Sequence, residues 1–210
     1  MLRRLIVLLF CKPIAFLVFG FSVRHRERLV TNGPAIVVAN HNSHLDTFLL
    51  FCLFPSRLVP KIRPVAAADY FMTSAVSRWV STQVIGIIPI ARRREDRAGD
   101  PLAPCYAALD RGEILVLFPE GTRGEPEQMS ELKSGVAHLA ARYPDVPVVP
   151  VFLRGAGRSL PRGTFLLVPF LCHAIVGERV AWCGNRKRFM TRVAETMRSL
   201  EAEAPPLHWE

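Results

Sequence analysis

Residues 35–50, AIVVANHNSHLDTFLL, change their pattern in mid-course. Ala35 to Ala39 are five small or β-branched apolar residues, the length and composition of a strand buried on both faces. After Asn40 the polar block HNSH leads into LDTFLL, which enters a helix, with Ser43 or Asp46 placed to satisfy first-turn amides. A buried strand handing over to a helix through a polar junction is a building unit of α/β folds. The same junction leaves His41 accessible at the end of a rigid strand, with a carboxylate, Asp46, about one helical turn beyond.

The alternation recurs along the chain. A mixed helical segment around Tyr70 to Val80 precedes a strand over Val84 to Ile90. Leu102, Tyr106 and Leu109 mark an amphipathic helix before the strand Ile114 to Phe118. Leu132, Val136, Leu139 and Ala140 mark the next helix, followed by the strand Val148 to Leu153. Thr164 to Val176 is β-rich but divided by Pro169 and stopped by Gly177, which predicts two short edge or hairpin strands. Phe189, Val193, Met197 and Leu200 share one face of a packing helix, and AEAPPLHWE after it reads as a frayed tail. The expected fold class is α/β: a mixed, largely parallel sheet flanked by helices, with an N-terminal membrane-associated helical segment.

Half of the 210 residues are apolar, enough to enclose a core, and the formal charge of +9 favours an anionic partner, either nucleic acid or an anionic membrane surface. The first residues favour the membrane. Leu5 to Cys11 is apolar, Lys12-Pro13 interrupts, and Ile14 to Phe21 resumes, with Arg3-Arg4 before and Arg24, Arg26 and Arg28 after. A bilayer-spanning helix needs roughly 20 mainly apolar residues, and this stretch carries a charge and a helix breaker near its middle. The expectation is an interfacial or re-entrant anchor over residues 1–23, ahead of one domain over 24–210. Cysteines at 11, 52, 105, 172 and 183 form no CxxC pair and are odd in number, which predicts reduced thiols rather than a disulfide framework or a zinc site.

The chemistry-bearing residues fall in two clusters. Asp46 could fix the tautomer of His41 and stabilise its protonated form, leaving His41 to take a proton from an alcohol; His44 is the competing histidine. The second cluster is FPEGTRG, residues 118–124, where Gly121 and Gly124 permit a tight turn, Thr122 supplies a donor and Arg123 can clamp a phosphate through its planar fork. Glu120 either holds that arginine or binds a substrate hydroxyl. Neither GxxxxGK[ST] nor GxGxxG is present.

Together these blocks resemble the glycerolipid acyltransferase family, which includes the 1-acylglycerol-3-phosphate acyltransferases. NHNSHLD at 40–46 resembles the family's NHxxxxD block, GIIPIAR at 86–92 the second, FPEGTR at 118–123 the third and VPVVPV at 146–151 the fourth. LKSG at 132–135 is a familiar continuation of the third, whereas Pro89 occupies a position that is commonly aromatic in the second. The resemblance implies His41 as general base and Asp46 as its orienting partner. It also implies that Arg92, Glu120, Gly121 and Arg123 bind a glycerol phosphate acceptor, with Pro150 in a block tied to acyl-chain or acceptor placement. No bound cofactor or metal is implied. The co-substrate would be a thioester of coenzyme A or acyl carrier protein, and the acceptor a lysophospholipid: 1-acyl-sn-glycerol 3-phosphate, another lysophospholipid or a lyso-ornithine lipid. The active site would face the cytoplasmic side of the inner or plasma membrane.

Other classes explain less. A hydrolase would lack a GxSxG elbow or a convincing nucleophile. A metal enzyme recruiting His41, His44, Asp46 and Glu120 would have no recognised ligand spacing. A nonenzymatic protein of anionic membranes accounts for the charge but not for the ordered polar blocks. ARRR at 91–94 could neutralise phosphates, yet no nucleic-acid recognition module accompanies it.

Overall fold

Ala35–Ala39 is the middle strand of a seven-stranded sheet and is buried at all five positions. The computed structural model describes residues 2–68, 74–91, 99–121, 124, 129–160 and 167–206. Its strands are β1 (Ser22–Arg24), β2 (Ala35–Ala39), β3 (Ile62–Ala67), β4 (Ile88–Ile90), β5 (Ile114–Leu117), β6 (Val148–Arg154) and β7 (His173–Val176). The helices are α1, with turns Leu2–Ile6, Val7–Cys11 and Ile14–Val18, then α2 (Leu45–Leu53) and α3 (Ala75–Trp79, continued as Val80–Ile85). They are followed by α4 (Ala103–Asp110), α5 (Gly135–Arg142), the short α6 (Ala156–Ser159) and α7 (Arg186–Glu203).

The sheet order is β1-β7-β6-β2-β5-β3-β4. Strands β6, β2, β5, β3 and β4 are parallel; β7 runs antiparallel to β6, and β1 parallel to β7. The sheet is therefore mixed and largely parallel, with helices on both faces. Val37 pairs with Val116 on one side and Val149 on the other, so the centre is a band of β-branched side chains. Each such residue, fully buried, stabilises the fold by about 1.5–3 kcal/mol relative to exposure.

Alternate strand residues feed two cores. Val37, Ala39, Val116, Val149 and Val151 pack on the side of α1 and α2. Ile36, Val38, Leu115, Leu117 and Phe152 pack on the side of α4, α5 and α7. The predicted face of α7 is the buried one, with Phe189, Val193, Met197 and Leu200 inside, and Asn185 caps the helix by accepting from Arg188 N at 3.0 Å.

Helix α1 carries wide i→i+5 turns on both sides of Pro13, an arrangement that accommodates a residue with no N–H to donate. Val7, Ala15 and Phe19 sink into the first core, and the Arg3 guanidinium donates to the carbonyls of Ile62, Ile85 and Pro60. Burial, with Arg63 nearby, pulls the Arg3 pKa down to about 10. Strand β1 spans the boundary expected at residues 23/24. No helix among the described residues is long and apolar enough to cross a membrane.

Three sequence expectations need correction. Ile62–Ala67 is a strand not expected from the sequence, because Pro64 interrupts it; the β4 ladder starts only at Val65, so one neighbouring strand alone must accommodate the missing donor. The strand expected over Val84 to Ile90 begins at Ile88, because residues 80–85 complete α3 and Gly86 at φ +79 ends it. The stretch at 164–176 gives one strand among the described residues, and β7 is not an edge because β1 pairs outside it. Residues 164–166 lie outside the described residues.

Candidate active site

The parallel strands β2, β5, β3 and β4 end along one edge of the sheet, and the polar junctions after them form the site. Asn40, buried where β2 ends, donates to Leu153 O at 2.8 Å and accepts from Leu153 N at 2.7 Å. These two bonds continue the β2–β6 ladder through a side chain and fix the point at which the chain turns outward. The sequence signal for this role is a polar amide residue closing an apolar strand.

His41 Nδ1 lies 2.9 Å from Asp46 Oδ2. The carboxylate only accepts, so Nδ1 carries the proton and Nε2 carries the lone pair. The His41 side chain is 20% exposed and that of Asp46 0%. Asn42 N and Ser43 N also donate to Asp46 Oδ2, at 2.7 and 2.8 Å, so three N–H groups converge on one oxygen of the buried carboxylate. The His41 ring stacks on Phe118 at 4.1 Å between centroids, 20° from parallel. Partner and stacking together fix the imidazole in both tautomer and plane.

Glu120 approaches from the end of β5. Its carboxylate is buried; Oε1 accepts from His41 N at 2.9 Å, and Oε2 accepts from Ser130 Oγ at 2.7 Å and Ser130 N at 3.2 Å. Gly124 N donates back to His41 O at 3.1 Å. The third block therefore grips the His41 backbone from both sides, and both oxygens of Glu120 are engaged by protein donors. Gly121, at φ +74, makes the turn that allows this, and a Cβ there would meet Lys133 Nζ at 2.5 Å.

A cleft of about 820 Å³ opens beside His41. His41, His44, Phe118, Gly121 and Lys133 line one part of it; Val65, Ala67, Ile87, Ile90 and Leu117 give it an apolar wall. That volume and lining suit a ligand with a long apolar body and a few polar anchors. Lys133 is the one lysine or arginine among the described residues lining it. The sequence signal for Lys133 is its place in LKSG, directly after the third block.

The structure thus brings His41, Asp46, Glu120 and Gly121 together. Pro150 is a buried residue of β6, paired with Val38, whose carbonyl accepts from Gly177 N at 2.8 Å; it is not among the cleft-lining residues. Arg92, Thr122 and Arg123 lie outside the described residues. The amides of Asn42 and Ser43 serve Asp46 and so do not serve as oxyanion donors. Burial pushes the Cys52 and Cys105 thiols up to about 12, which suits inert packing residues. Among the described residues no cluster of His, Cys, Asp or Glu could hold a metal ion.

Residues 20–154 match the family described as Acyltransferase. The chain is 30% identical over 134 residues to a chloroplastic 1-acyl-sn-glycerol-3-phosphate acyltransferase of Brassica napus, covering 64% of this chain and 37% of that protein. It is 31% identical over 133 residues to the human 1-acyl-sn-glycerol-3-phosphate acyltransferase alpha, covering 63% and 44%. The chain therefore spans under half the length of these curated relatives. The fold matches the crystal structure of the 1-acyl-sn-glycerophosphate (LPA) acyltransferase PlsC from Thermotoga maritima with a TM-score of 0.73 at 19% identity, over 96% of this chain and 81% of that one.

Proposed function

The chain belongs to the acyltransferase family, and we propose that it moves a fatty acyl group from a coenzyme A or acyl carrier protein thioester to the sn-2 hydroxyl of 1-acyl-sn-glycerol 3-phosphate, giving phosphatidic acid and a free thiol. The observation that carries this reading is the His41–Asp46 pair at 2.9 Å, whose remaining ring nitrogen is the base beside the cleft. His41 Nε2 takes the hydroxyl proton as that oxygen forms a bond to the thioester carbonyl carbon. The tetrahedral intermediate then expels the thiolate, which recovers the proton from the imidazolium. A thioester is already activated, so a base and alignment of the two substrates suffice without a covalent acyl-enzyme. The apolar wall of the cleft suits an acyl chain, and Lys133 supplies a cation for the acceptor phosphate, beside the roles expected of Arg92 and Arg123.

The acceptor is a lipid, and the molecular surface suits a bilayer. On α1 Leu2, Leu5, Leu9, Phe10 and Leu17 are exposed, Leu17 to 84%. Arg3 ties one end of α1 to Ile85 at the end of α3, the helix in which Trp79 is 57% exposed. The Leu171 side chain lies against Gly20 at the other end, and Leu171 is 59% exposed. These apolar side chains, flanked by Arg4, Lys12, Arg24 and Arg26, have the composition of an interfacial docking face on the cytoplasmic leaflet of the inner or plasma membrane.

The test is purified protein given acyl-CoA and acyl carrier protein donors against a panel of lyso-lipid acceptors, including lyso-ornithine lipid, with products resolved by mass spectrometry. The expected outcome is phosphatidic acid formed in a His41-dependent reaction. A product from another lyso-lipid alone would replace the acceptor, and no transfer from either donor would sink the proposal.

A further inference from the structure

A second groove, of about 530 Å³, runs between residues 129–134 and α7. Met129, Leu132 and Met190 give it an apolar side, while Arg186, Lys187 and Arg198 give it a cationic one. Glu131 is the single acidic residue lining it. The three cations are exposed, and no ion pair among the described residues involves them. Arg186 and Lys187 stand in the first turn of α7, where the helix dipole already carries positive charge and no acidic residue offsets it. Like charges gathered there repel one another until an anion arrives.

Two relationships narrow the occupant. Ser134 lines both this groove and the catalytic cleft, so the two are contiguous. Helix α7 packs in the core on the far side of the sheet from α1, which carries the exposed apolar face. With α1 as the bilayer face, the groove lies on the water-facing side, which suits a soluble anion rather than a lipid headgroup.

We propose that this groove binds the nucleotide end of a coenzyme A thioester. Guanidinium forks at Arg186 and Arg198 and the Lys187 ammonium suit the clustered phosphates, while the Met129 and Met190 thioethers and Leu132 suit the flat face of a purine. The pantetheine arm passes Ser134 into the cleft and presents its thioester to the acceptor oxygen beside His41. The proposal rests on the acyl-transfer reading and adds the site and chemical class of the donor.

The experiment pairs calorimetric titration of adenosine 3′,5′-bisphosphate and coenzyme A into the full chain with initial rates on palmitoyl-CoA. Arg186→Ala/Lys187→Ala/Arg198→Ala is expected to weaken both ligands and raise KM for palmitoyl-CoA by at least about tenfold, with a smaller effect on kcat and unchanged sedimentation with anionic vesicles. Arg198→Glu alone should act in the same direction. Arg188→Ala/Arg192→Ala removes charge from α7 outside the groove and should stay within about twofold of wild type. Unchanged KM in the triple variant, an equal effect in the Arg188/Arg192 variant, or a loss of vesicle binding in its place would each overturn the groove assignment. An effect confined to an acyl carrier protein donor would overturn it in favour of an acidic protein partner. Wild type that binds coenzyme A yet acylates no lyso-lipid would instead overturn the acyl-transfer reading and leave the groove standing.

Discussion

The amide of His41 is bonded to the carboxylate of Glu120, 79 residues further along the chain, at 2.9 Å. The carboxylate that follows β5 therefore sets the position of the histidine that follows β2, and the two loops form one unit. Asp46 holds the same histidine by its ring, so backbone and side chain are fixed by different carboxylates.

Removing the His41 imidazole is expected to separate chemistry from folding. His41→Ala is expected to lower kcat by about 10²–10⁴-fold while the thermal midpoint moves little, since the ring lies at the cleft rather than in a core. Steady-state rates alongside circular dichroism check this, and turnover within about twofold of wild type would defeat the assignment.

Asp46→Ala should cost stability as well as rate. It strips the acceptor from the Asn42 and Ser43 amides, and a buried donor left unpaired costs about 1–3 kcal/mol. Asp46→Asn retains an oxygen for those amides, so its loss should appear in kcat more than in the denaturation midpoint. Equal midpoints for wild type and Asp46→Ala would contradict the geometry.

Glu120→Ala and Ser130→Ala discriminate positioning from substrate contact. Glu120→Ala orphans the His41 amide, so kcat should fall and limited proteolysis near residues 118–130 should quicken. Ser130→Ala, which keeps the bond to His41, should be milder. A KM change for the acceptor with kcat and proteolysis untouched would show Glu120 to be a substrate ligand instead.

Lys133 and Arg123 are expected to read phosphate. Alanine at either position should raise KM for 1-acyl-sn-glycerol 3-phosphate by about tenfold or more, and much less for a phosphate-free monoacylglycerol; Arg123→Lys should rescue only in part, having lost the planar fork. Equal losses on both acceptors would assign the residue a structural role.

Acid stability depends on a carboxylate away from the site. Burial disfavours the charge on Glu113, yet hydrogen bonds from Arg63 at 2.8 Å and Arg111 at 2.9 Å outweigh it and hold its pKa below the ordinary 4.5. A depressed folded-state value contributes stability that is present above pH 4.5 and lost as pH falls through that lower value. Glu113→Gln should melt lower at neutral pH and lose less on acidification. Parallel acid profiles for the two proteins would remove Glu113 from this role.

Much of the fold was legible because the central strands are continuous apolar runs; Ala35–Ala39, Ile114–Leu117 and Val148–Arg154 announce themselves. Ser22–Arg24 does not, since three residues without an apolar run become a strand only by pairing with β7. The His41–Asp46 pair was legible because its spacing is local. The engagement of Glu120 with a distant backbone amide was not, because a carboxylate's type says nothing about which donor will reach it. Lys133 was overlooked for a similar reason: only the turn at Gly121 brings it to the cleft wall.

The pairing of β1 also bears on the order of assembly. Ser22 and His173, joined at 2.6 Å, stand 151 residues apart, and Arg3 finds its carbonyl partners at residues 60, 62 and 85. During synthesis the apolar turns of α1 leave the ribosome well before either the strand that flanks β1 or the carbonyls that hold Arg3 exist. The apolar turns of α1 therefore wait without their native partners while the rest of the chain is made. β1 is thus the first strand to be made and the last to find its neighbour, since β7 is the final strand of the sheet.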